Sequence, residues 1–149
     1  LNPVDTIFVG KNAMEKIPLF GYMYRKLHIT VDRRKLRSRY ATYIKSQEAI
    51  DEGKSLVIYP EGGIVAEKPP AMGRFKEGAF RLAIEKKIPI VPVTIPDDSL
   101  LLTRGEVRII FHEPIETRGM AMEQLDSLRD KVFNIINDEI KTNNATRVA

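Results

Sequence analysis

The chain has 149 residues and a mass of 17.0 kDa, the size of one domain with one hydrophobic core. Hydrophobic residues make up 43% and charged residues 30%, which is typical of globular chains and excludes disordered, collagenous and disulfide-rich classes. Cysteine is absent, so disulfides, thiolate nucleophiles and cysteine-built metal sites are ruled out. With only 2 histidines as well, we expect no metal and no cofactor.

The net charge of +4 is concentrated in residues 25–39, where Asp32 is the single acid. The basic residues there are Arg25, Lys26, Arg33, Arg34, Lys35, Arg37 and Arg39. We call these seven side chains the basic cluster. Such a cluster suits phosphate-rich partners, which include lipid headgroups, phosphorylated substrates and nucleic acids. A solvated helix face is the alternative explanation.

In chain order, the spacing of apolar residues predicts alternating strands and helices. Continuous apolar runs and runs with period two predict strands at residues 6–9, 29–31, 55–59, 90–95 and 106–111. Apolar residues at helical spacing predict helices over residues 18–27, 39–52, 77–87 and 122–140. The pattern predicts an α/β fold in a single domain, with a mostly parallel central sheet flanked by helices.

The connection over residues 60–76 is longer than compact domains normally contain without a functional reason. It begins with Pro60-Glu61-Gly62-Gly63 directly after a predicted strand, so Glu61 is expected at the carboxyl edge of the sheet, where ligands of open α/β sheets bind. The paired glycines can turn backbone N–H groups toward an anion, although a plain turn explains them equally well.

Further cations stand where an anion would be favoured. Arg33 follows the predicted strand 29–31, and an arginine at a strand end can bind a phosphate through two hydrogen bonds. The alternative is a surface ion pair with Asp32. Arg74 and Lys76 precede the helix over residues 77–87, and a helix N-terminus also favours anions.

The two histidines are the residues most often used as a base near neutral pH. His28 lies at a helix–strand junction and His112 follows a strand, so we expect both to be structural. The sequence contains no nucleophile elbow, no Walker loop and no dinucleotide-binding fingerprint. These absences weigh against hydrolysis by a catalytic triad, nucleotide hydrolysis and dinucleotide binding.

Several short blocks together resemble a known family. In order they are FVGK (8–11), IPLFG (17–21), HITVDR (28–33), VIYPEG (57–62), FKEGA (75–79) and IPIVPV (88–93). Over about residues 6–115 this order and spacing resembles the glycerolipid acyltransferases, the group of 1-acylglycerol-3-phosphate acyltransferase. Each block alone is weakly specific, whereas their order and spacing together are strongly specific.

The resemblance implies an activity and a set of binding residues. The reaction would move a fatty acyl group from acyl-CoA or acyl carrier protein to a lysophosphatidic acid-type hydroxyl in phospholipid biosynthesis. The protein would lie peripherally on the cytoplasmic face of a membrane, with the basic cluster on anionic headgroups. By this resemblance, Arg33 would bind the phosphate of the acceptor, and Pro60, Glu61 and Gly62 would bind its glycerol. Lys11 would border the pocket, and Pro92 would lie near the acyl donor.

Two departures from the family pattern affect the expected site. The family usually continues Pro-Glu-Gly with Thr-Arg-Ser, whereas Gly63-Ile64-Val65 stands here, and we expect Arg74 or Lys76 to replace the missing arginine. The family's catalytic His-x4-Asp pair is absent, because the fifth residue after His28 is Arg33 and the fifth after His112 is Thr117.

We therefore expect no catalytic residue within residues 1–149. The chain starts without methionine and without the regions of a signal peptide, and it begins about where the His-x4-Asp block should have ended. This predicts a glycerolipid acyltransferase-like domain truncated at its N-terminus and inactive by itself, with the pair upstream. The alternative is an evolved pseudoenzyme that has lost the pair. Since no apolar run approaches roughly 20 residues, the chain as given is not expected to span a bilayer.

The alternative function is a non-catalytic module that binds anionic lipid or nucleic acid through the basic cluster. Tyrosines near the cluster could stack on bases, namely Tyr22, Tyr24, Tyr40 and Tyr43. Their spacing suits packing within helices equally well. We therefore expect lipid and thioester partners and no nucleic acid.

Overall fold

The computed structural model describes residues 6–11, 13, 15, 17–32, 34–63, 72–96 and 108–148. The chain divides into two compact units, Leu1–Gly63 and Ile64–Ala149. A parallel sheet with helices forms the first unit, which confirms the predicted α/β class and the parallel sheet. The extent of the acyltransferase-like domain over residues 1–149 stays a prediction.

The first unit contains three strands and two helices. In chain order they are β1 (Thr6–Lys11), α1 (Phe20–Leu27), β2 (Ile29–Val31), α2 (Leu36–Asp51) and β3 (Ser55–Ile58). The strand order is β2-β1-β3, and both pairs are parallel. Lys11 is opposite Val31, and Val9 is opposite both Ile29 and Ile58. The predicted strands 6–9, 29–31 and 55–59 are confirmed to within two residues.

α1 packs across β1 through aromatic side chains. The Tyr24 ring lies edge-on to His28, and His28 lies edge-on to Phe8, with centroid distances of 5.0 and 5.2 Å. A Cβ atom on Gly10 would lie 1.7 Å from the Tyr24 hydroxyl oxygen. Glycine at this position of β1 therefore lets the tyrosine cross the strand.

α2 packs on β2 and β3 through small residues, because Ser46 and Ala49 are its buried positions. The helix begins three residues before the predicted start at residue 39 and ends close to the predicted position. Gly53 adopts a φ of 80° and donates its N–H to Ile50 O at 2.9 Å. This left-handed glycine ends the helix as the sequence predicts.

The second unit has its own core and a short antiparallel sheet. Its elements are α3 (Gly78–Lys86), β4 (Val93–Thr94), β5 (Ile110–Phe111), a 3-10 helix (Met122–Gln124) and α4 (Leu125–Val148). The buried core contains Phe75, Phe80, Ile84, Ile115, Leu125, Leu128 and Val132. α4 therefore supplies the apolar stripe predicted over residues 122–140, although the helix continues to Val148.

The predicted strand over residues 90–95 is wrong in its extent. Only Val93 and Thr94 form β4, while Ile90 makes an isolated antiparallel bridge to Ile115. Pro92 lies between them and has no N–H to donate, so it contributes only its carbonyl, which accepts the His112 N–H at 3.0 Å. The proline thus interrupts the hydrogen-bonded ladder. Of the predicted strand 106–111, residues 106 and 107 lie outside the described ranges.

Candidate functional site

The carboxyl ends of three parallel strands meet at one edge of the first unit. The register places Lys11, the last residue of β1, beside Val31, the last residue of β2. On the other side of β1, β3 ends at Ile58, which pairs with Val9. The segments after β2 and β3 therefore leave the sheet at the same edge, with β1 between them, as expected for a ligand site in an α/β sheet.

A tight turn follows β3 and holds the Pro60-Glu61-Gly62 block. The Gly62 N–H donates to Tyr59 O at 3.1 Å, which closes a β-turn with Pro60 at its second position, where the ring favours the required φ. Gly62 itself has a φ of 76°, a left-handed conformation that glycine adopts without strain. Glu61 is half-buried and has an interaction partner of its own. Gly63 is exposed beyond the turn.

Asp32 organises the segment between β2 and α2. Its carboxylate accepts the Arg34 N–H at 3.1 Å and lies 3.9 Å from Lys35 Nζ, and its own N–H donates to Ser38 Oγ at 3.0 Å. The first turn of α2 contains no acidic residue, so no carboxylate on that turn offsets the positive end of the helix dipole. This part of the edge favours an anion electrostatically.

The structure describes the predicted site residues unevenly. Arg33 and the side chain of Lys11 lie outside the described part of the chain, so their implied roles stay predictions. Pro60, Glu61 and Gly62 lie in the turn at the sheet edge.

The remaining predicted site residues belong to the second unit. Pro92 is buried beside β4, and Arg74 and Lys76 are exposed just before α3. Arg74 also lines an open cavity of about 320 Å³, together with Met72, Phe75, Arg129, Asp130 and Phe133. Whether either cation compensates for a missing arginine stays a prediction.

Both histidines are occupied by structural contacts, as expected. The Phe8 N–H lies 3.4 Å from His28 Nδ1, and the imidazole ring packs between Phe8 and Tyr24. His112 Nε2 lies 2.8 Å from the hydroxyl of Thr94, a residue that is almost fully buried. Among the contacts of the described residues, no carboxylate lies beside either imidazole. Neither histidine therefore has the partner that would orient it as a general base.

The described residues were also compared with what a metal site and a membrane-spanning helix require. Within the described ranges, no three His, Asp or Glu side chains lie close enough together to hold a metal ion. None of the helices described by the structure combines the length and apolar character needed to cross a membrane.

The basic cluster extends over several elements. Arg25 and Lys26 are on α1, and Arg37 and Arg39 are on α2. The two helices are joined by β2 and the Asp32 segment, so the cluster is not confined to one helix face, and solvated surface side chains stay the alternative explanation. The described members of the cluster are all exposed.

The structural role of Asp32 and its partner Ser38 was not predicted. Asp32 was expected only as a possible ion-pair partner of Arg33, whereas its carboxylate accepts a backbone N–H two residues later. An aspartate that bonds to the N–H two residues on is a common turn signal, and it was visible in the order Asp32-Arg33-Arg34. The contact with Ser38 needed the tertiary structure, because it closes only when α2 begins at Leu36.

Comparison with known proteins gives a consistent result. The family model described as Acyltransferase matches residues 1–96. A chloroplastic 1-acyl-sn-glycerol-3-phosphate acyltransferase of Brassica napus is 30% identical over 140 residues, covering 87% of this chain and 40% of that protein. A 1-acyl-sn-glycerol-3-phosphate acyltransferase of Saccharomyces cerevisiae is 28% identical over 148 residues, covering 93% of this chain and 49% of that protein.

The fold is shared with a solved structure. The crystal structure of the 1-acyl-sn-glycerophosphate (LPA) acyltransferase PlsC from Thermotoga maritima matches with a TM-score of 0.70 and 23% sequence identity. The match covers 95% of this chain and 58% of the other. The chain thus spans about half the length, or less, of the curated relatives described above.

Proposed function

We propose, since this chain belongs to the acyltransferase family, that it forms the acceptor-binding part of a lysophosphatidic acid-type acyltransferase in phospholipid biosynthesis. The observation that carries the proposal is the shared sheet edge, where the Pro60-Glu61-Gly62 turn and the segment after Val31 both leave the sheet beside β1. These are the blocks that the family resemblance assigns to the glycerol and the phosphate of the acceptor.

The proposed reaction joins an acceptor hydroxyl to the acyl group of a thioester. The hydroxyl oxygen attacks the thioester carbonyl carbon, the new ester C–O bond forms, the C–S bond breaks, and the thiol of coenzyme A or acyl carrier protein leaves. A general base removes the hydroxyl proton and returns it to the departing sulfur, which leaves as the thiol. Because His28 and His112 are both held in structural contacts, we assign that base to neither of them.

In this proposal the sheet edge recognises the acceptor. Arg33 binds the phosphate, and Lys11 borders the same pocket. The turn that contains Glu61 lies near the glycerol. Gly62, whose φ is positive, keeps this turn next to the end of β3 through its hydrogen bond to Tyr59 O. In the second unit, Pro92 belongs to the block proposed near the acyl donor.

The proposed location is the cytoplasmic face of a membrane, with peripheral attachment. A lipid acceptor resides in the bilayer, so the acceptor-binding part must reach the headgroup layer. The exposed basic cluster supports this location, because each Lys or Arg near an anionic membrane contributes about 1 kcal/mol to binding.

Titration of the 149-residue chain with glycerol 3-phosphate tests the acceptor role. A charge-assisted hydrogen bond is worth about 1.5–3 kcal/mol, so Arg33→Ala should raise the Kd roughly 10- to 150-fold. Arg33→Lys should restore part of the affinity, because a point charge replaces a two-pronged donor. Arg81→Ala, which removes an exposed arginine of α3, is the matched control and should leave the Kd unchanged.

The same titration separates the proposal from the alternative of a non-catalytic anion-binding module, which the exposure of the basic cluster also favours. An acceptor site should prefer glycerol 3-phosphate to inorganic phosphate, because the turn after β3 contributes contacts to the glycerol. Equal Kd values for the two ligands would favour the module. An unchanged Kd in a folded Arg33→Ala variant would refute the phosphate role.

A further inference from the structure

The outer side of α1 carries an exposed stripe of large apolar residues. Leu19, Met23 and Leu27 are 91%, 56% and 58% exposed. The spacing of four residues places Met23 and Leu27 in one row along the helix, and Leu19 precedes them at the N-cap position. The inner side of the same helix is used differently, because Tyr24 packs over Gly10 of β1. α1 is thus packed on one side and apolar on the side that faces solvent.

Leu19 is unusual in its backbone as well as its exposure. It has a φ of 63°, one of two positive values among the described non-glycine residues. A residue with a Cβ is strained in this region, and glycine would relieve the strain. In water the leucine side chain therefore combines backbone strain with almost complete exposure. Unusual backbone conformations of this kind concentrate at functional sites.

Cations border this apolar stripe. Arg25 and Lys26 are exposed on the same helix, and Lys26 Nζ lies 4.9 Å from the centroid of the Tyr22 ring. Residues 17–31 contain no acid. A tyrosine beside a lysine, next to apolar side chains, is the combination found at the boundary between lipid headgroups and acyl chains.

The beginning of α2 repeats this composition. Leu36 and Tyr40 are 73% and 67% exposed and lie four residues apart, and Arg37 and Arg39 stand among them. Two separate helices of the first unit therefore present exposed apolar residues together with cations.

We propose that the α1 stripe, defined as Leu19, Met23 and Leu27, inserts into an anionic lipid surface while Arg25 and Lys26 contact lipid phosphates. This rests on the proposed function only in its choice of a lipid as the partner. Charge complementarity supports the choice, because apolar side chains surrounded by cations match the acyl and phosphate layers of an anionic leaflet. A symmetric pair of copies joined through this face would instead bring its cations together, which is unfavourable.

Binding of the 149-residue chain to vesicles tests the proposal. Cosedimentation would use vesicles of phosphatidylcholine alone and vesicles with phosphatidylglycerol added. Replacing the stripe (Leu19→Ser, Met23→Ser and Leu27→Ser together) should lower the partition coefficient on the anionic vesicles by about tenfold or more, because three apolar side chains no longer leave water. The pair Arg25→Gln and Lys26→Gln should lower it about 25-fold, at about fivefold per cation.

A matched control comes from exposed apolar residues of the second unit. Ile95, Ile109 and Phe111 are also exposed, at or beside the β4–β5 sheet. Their replacement by serine should leave the partition coefficient within about twofold of the original chain. Thermal melts of all variants establish that each remains folded. Equal losses in the stripe variant and in this control would overturn the proposal.

Tryptophan fluorescence gives a second measurement that does not depend on a loss of binding. The chain contains no tryptophan, so Leu19→Trp provides a single probe at the stripe. Its emission should shift to shorter wavelength on anionic vesicles and be quenched by brominated lipid chains, whereas Phe111→Trp should show neither change. An unshifted Leu19→Trp emission in vesicle-bound protein would overturn insertion of the stripe.

Oligomeric state and ligand binding separate lipid insertion from self-association and from damage to the acceptor site. Sedimentation velocity should show the same state for the original chain and the stripe variant. A dimer that the stripe variant converts to a monomer would assign the face to a second copy and overturn the proposal. The stripe variant should keep its Kd for glycerol 3-phosphate, so loss of vesicle binding with intact ligand binding tests the docking surface separately from the proposed acceptor site.

Discussion

Gly62 provides a sharp test of how the turn after β3 contributes to acceptor binding. Its φ of 76° lies in the left-handed region, where a residue with a Cβ costs about 1–2 kcal/mol. If the turn of a Gly62→Ala variant keeps its conformation, the stability of the fold falls by this amount. If the turn instead relaxes in the free protein, restoring the conformation on binding the acceptor costs the same free energy, and the affinity falls. The loss of stability and the loss of binding free energy therefore have a sum that is set by the backbone conformation.

We expect the second outcome to dominate, because the turn lies at the exposed edge of the sheet. The Kd of the Gly62→Ala chain for glycerol 3-phosphate should rise about 5- to 30-fold, which corresponds to 1–2 kcal/mol. Isothermal titration calorimetry measures this change directly. The midpoint of thermal unfolding should fall by less than the full strain would produce.

Gly119→Ala is the matched control. Gly119 has a φ of 85°, and a Cβ there would have no heavy atom within 4 Å, so the variant has the backbone strain without a steric clash. Both variants also change the entropy of the unfolded chain equally. The control should lower Tm by about 2–8 °C and leave the Kd unchanged. If Gly62→Ala lowers Tm as much as the control and keeps its full affinity, the turn holds its conformation in the free protein, and the expectation that it relaxes is wrong.

Three further predictions concern packing and activity. Gly21→Ala should lower the stability by about 1–3 kcal/mol, because the new Cβ would lie 2.0 Å from the Glu15 carbonyl oxygen. Thermal melts measure this change, and an unchanged melt would contradict the position of α1. Thr117→Val should cost about 1–3 kcal/mol in urea unfolding, since the fully buried hydroxyl lies 2.9 and 2.8 Å from Ala83 O and Ile88 O; a cost near zero would show that these carbonyls do not need it. The chain alone should consume no acyl thioester in the presence of acceptor, because both histidines are held in structural contacts, and turnover that is lost on replacing either one would contradict this.

The sequence predicted the elements whose apolar pattern is local and regular. The helix at Phe20–Leu27 and the strand at Ser55–Ile58 lie where residue spacing placed them, because the apolar pattern of each segment is local to its own residues, whether or not that side of the element is buried. The β4 region is the counterexample. Its apolar residues suggested a strand of six residues, but Pro92 leaves a two-residue strand, since the ladder needs N–H groups as well as apolar side chains.

The candidate site was predicted only in part. Strand ends marked Arg33 and Glu61 as neighbours at one edge, and the family blocks supported the same choice. The sequence did not show which strand separates the segments that contain them, because strand order depends on pairing between residues far apart in the chain. It also did not show that Ser38 of α2 accepts the Asp32 N–H, because that contact depends on where α2 begins.

By itself, the sequence determined the α/β class, the resemblance to glycerolipid acyltransferases and the blocks that would recognise an acceptor. The tertiary structure alone decided that β1 lies between β2 and β3, that Gly10 makes room for Tyr24, and that the stripe at Leu19 faces solvent. The physical reason is that a periodic pattern is local and shows only that a helix has an apolar side, whereas the burial of that side depends on which distant parts of the chain pack against it.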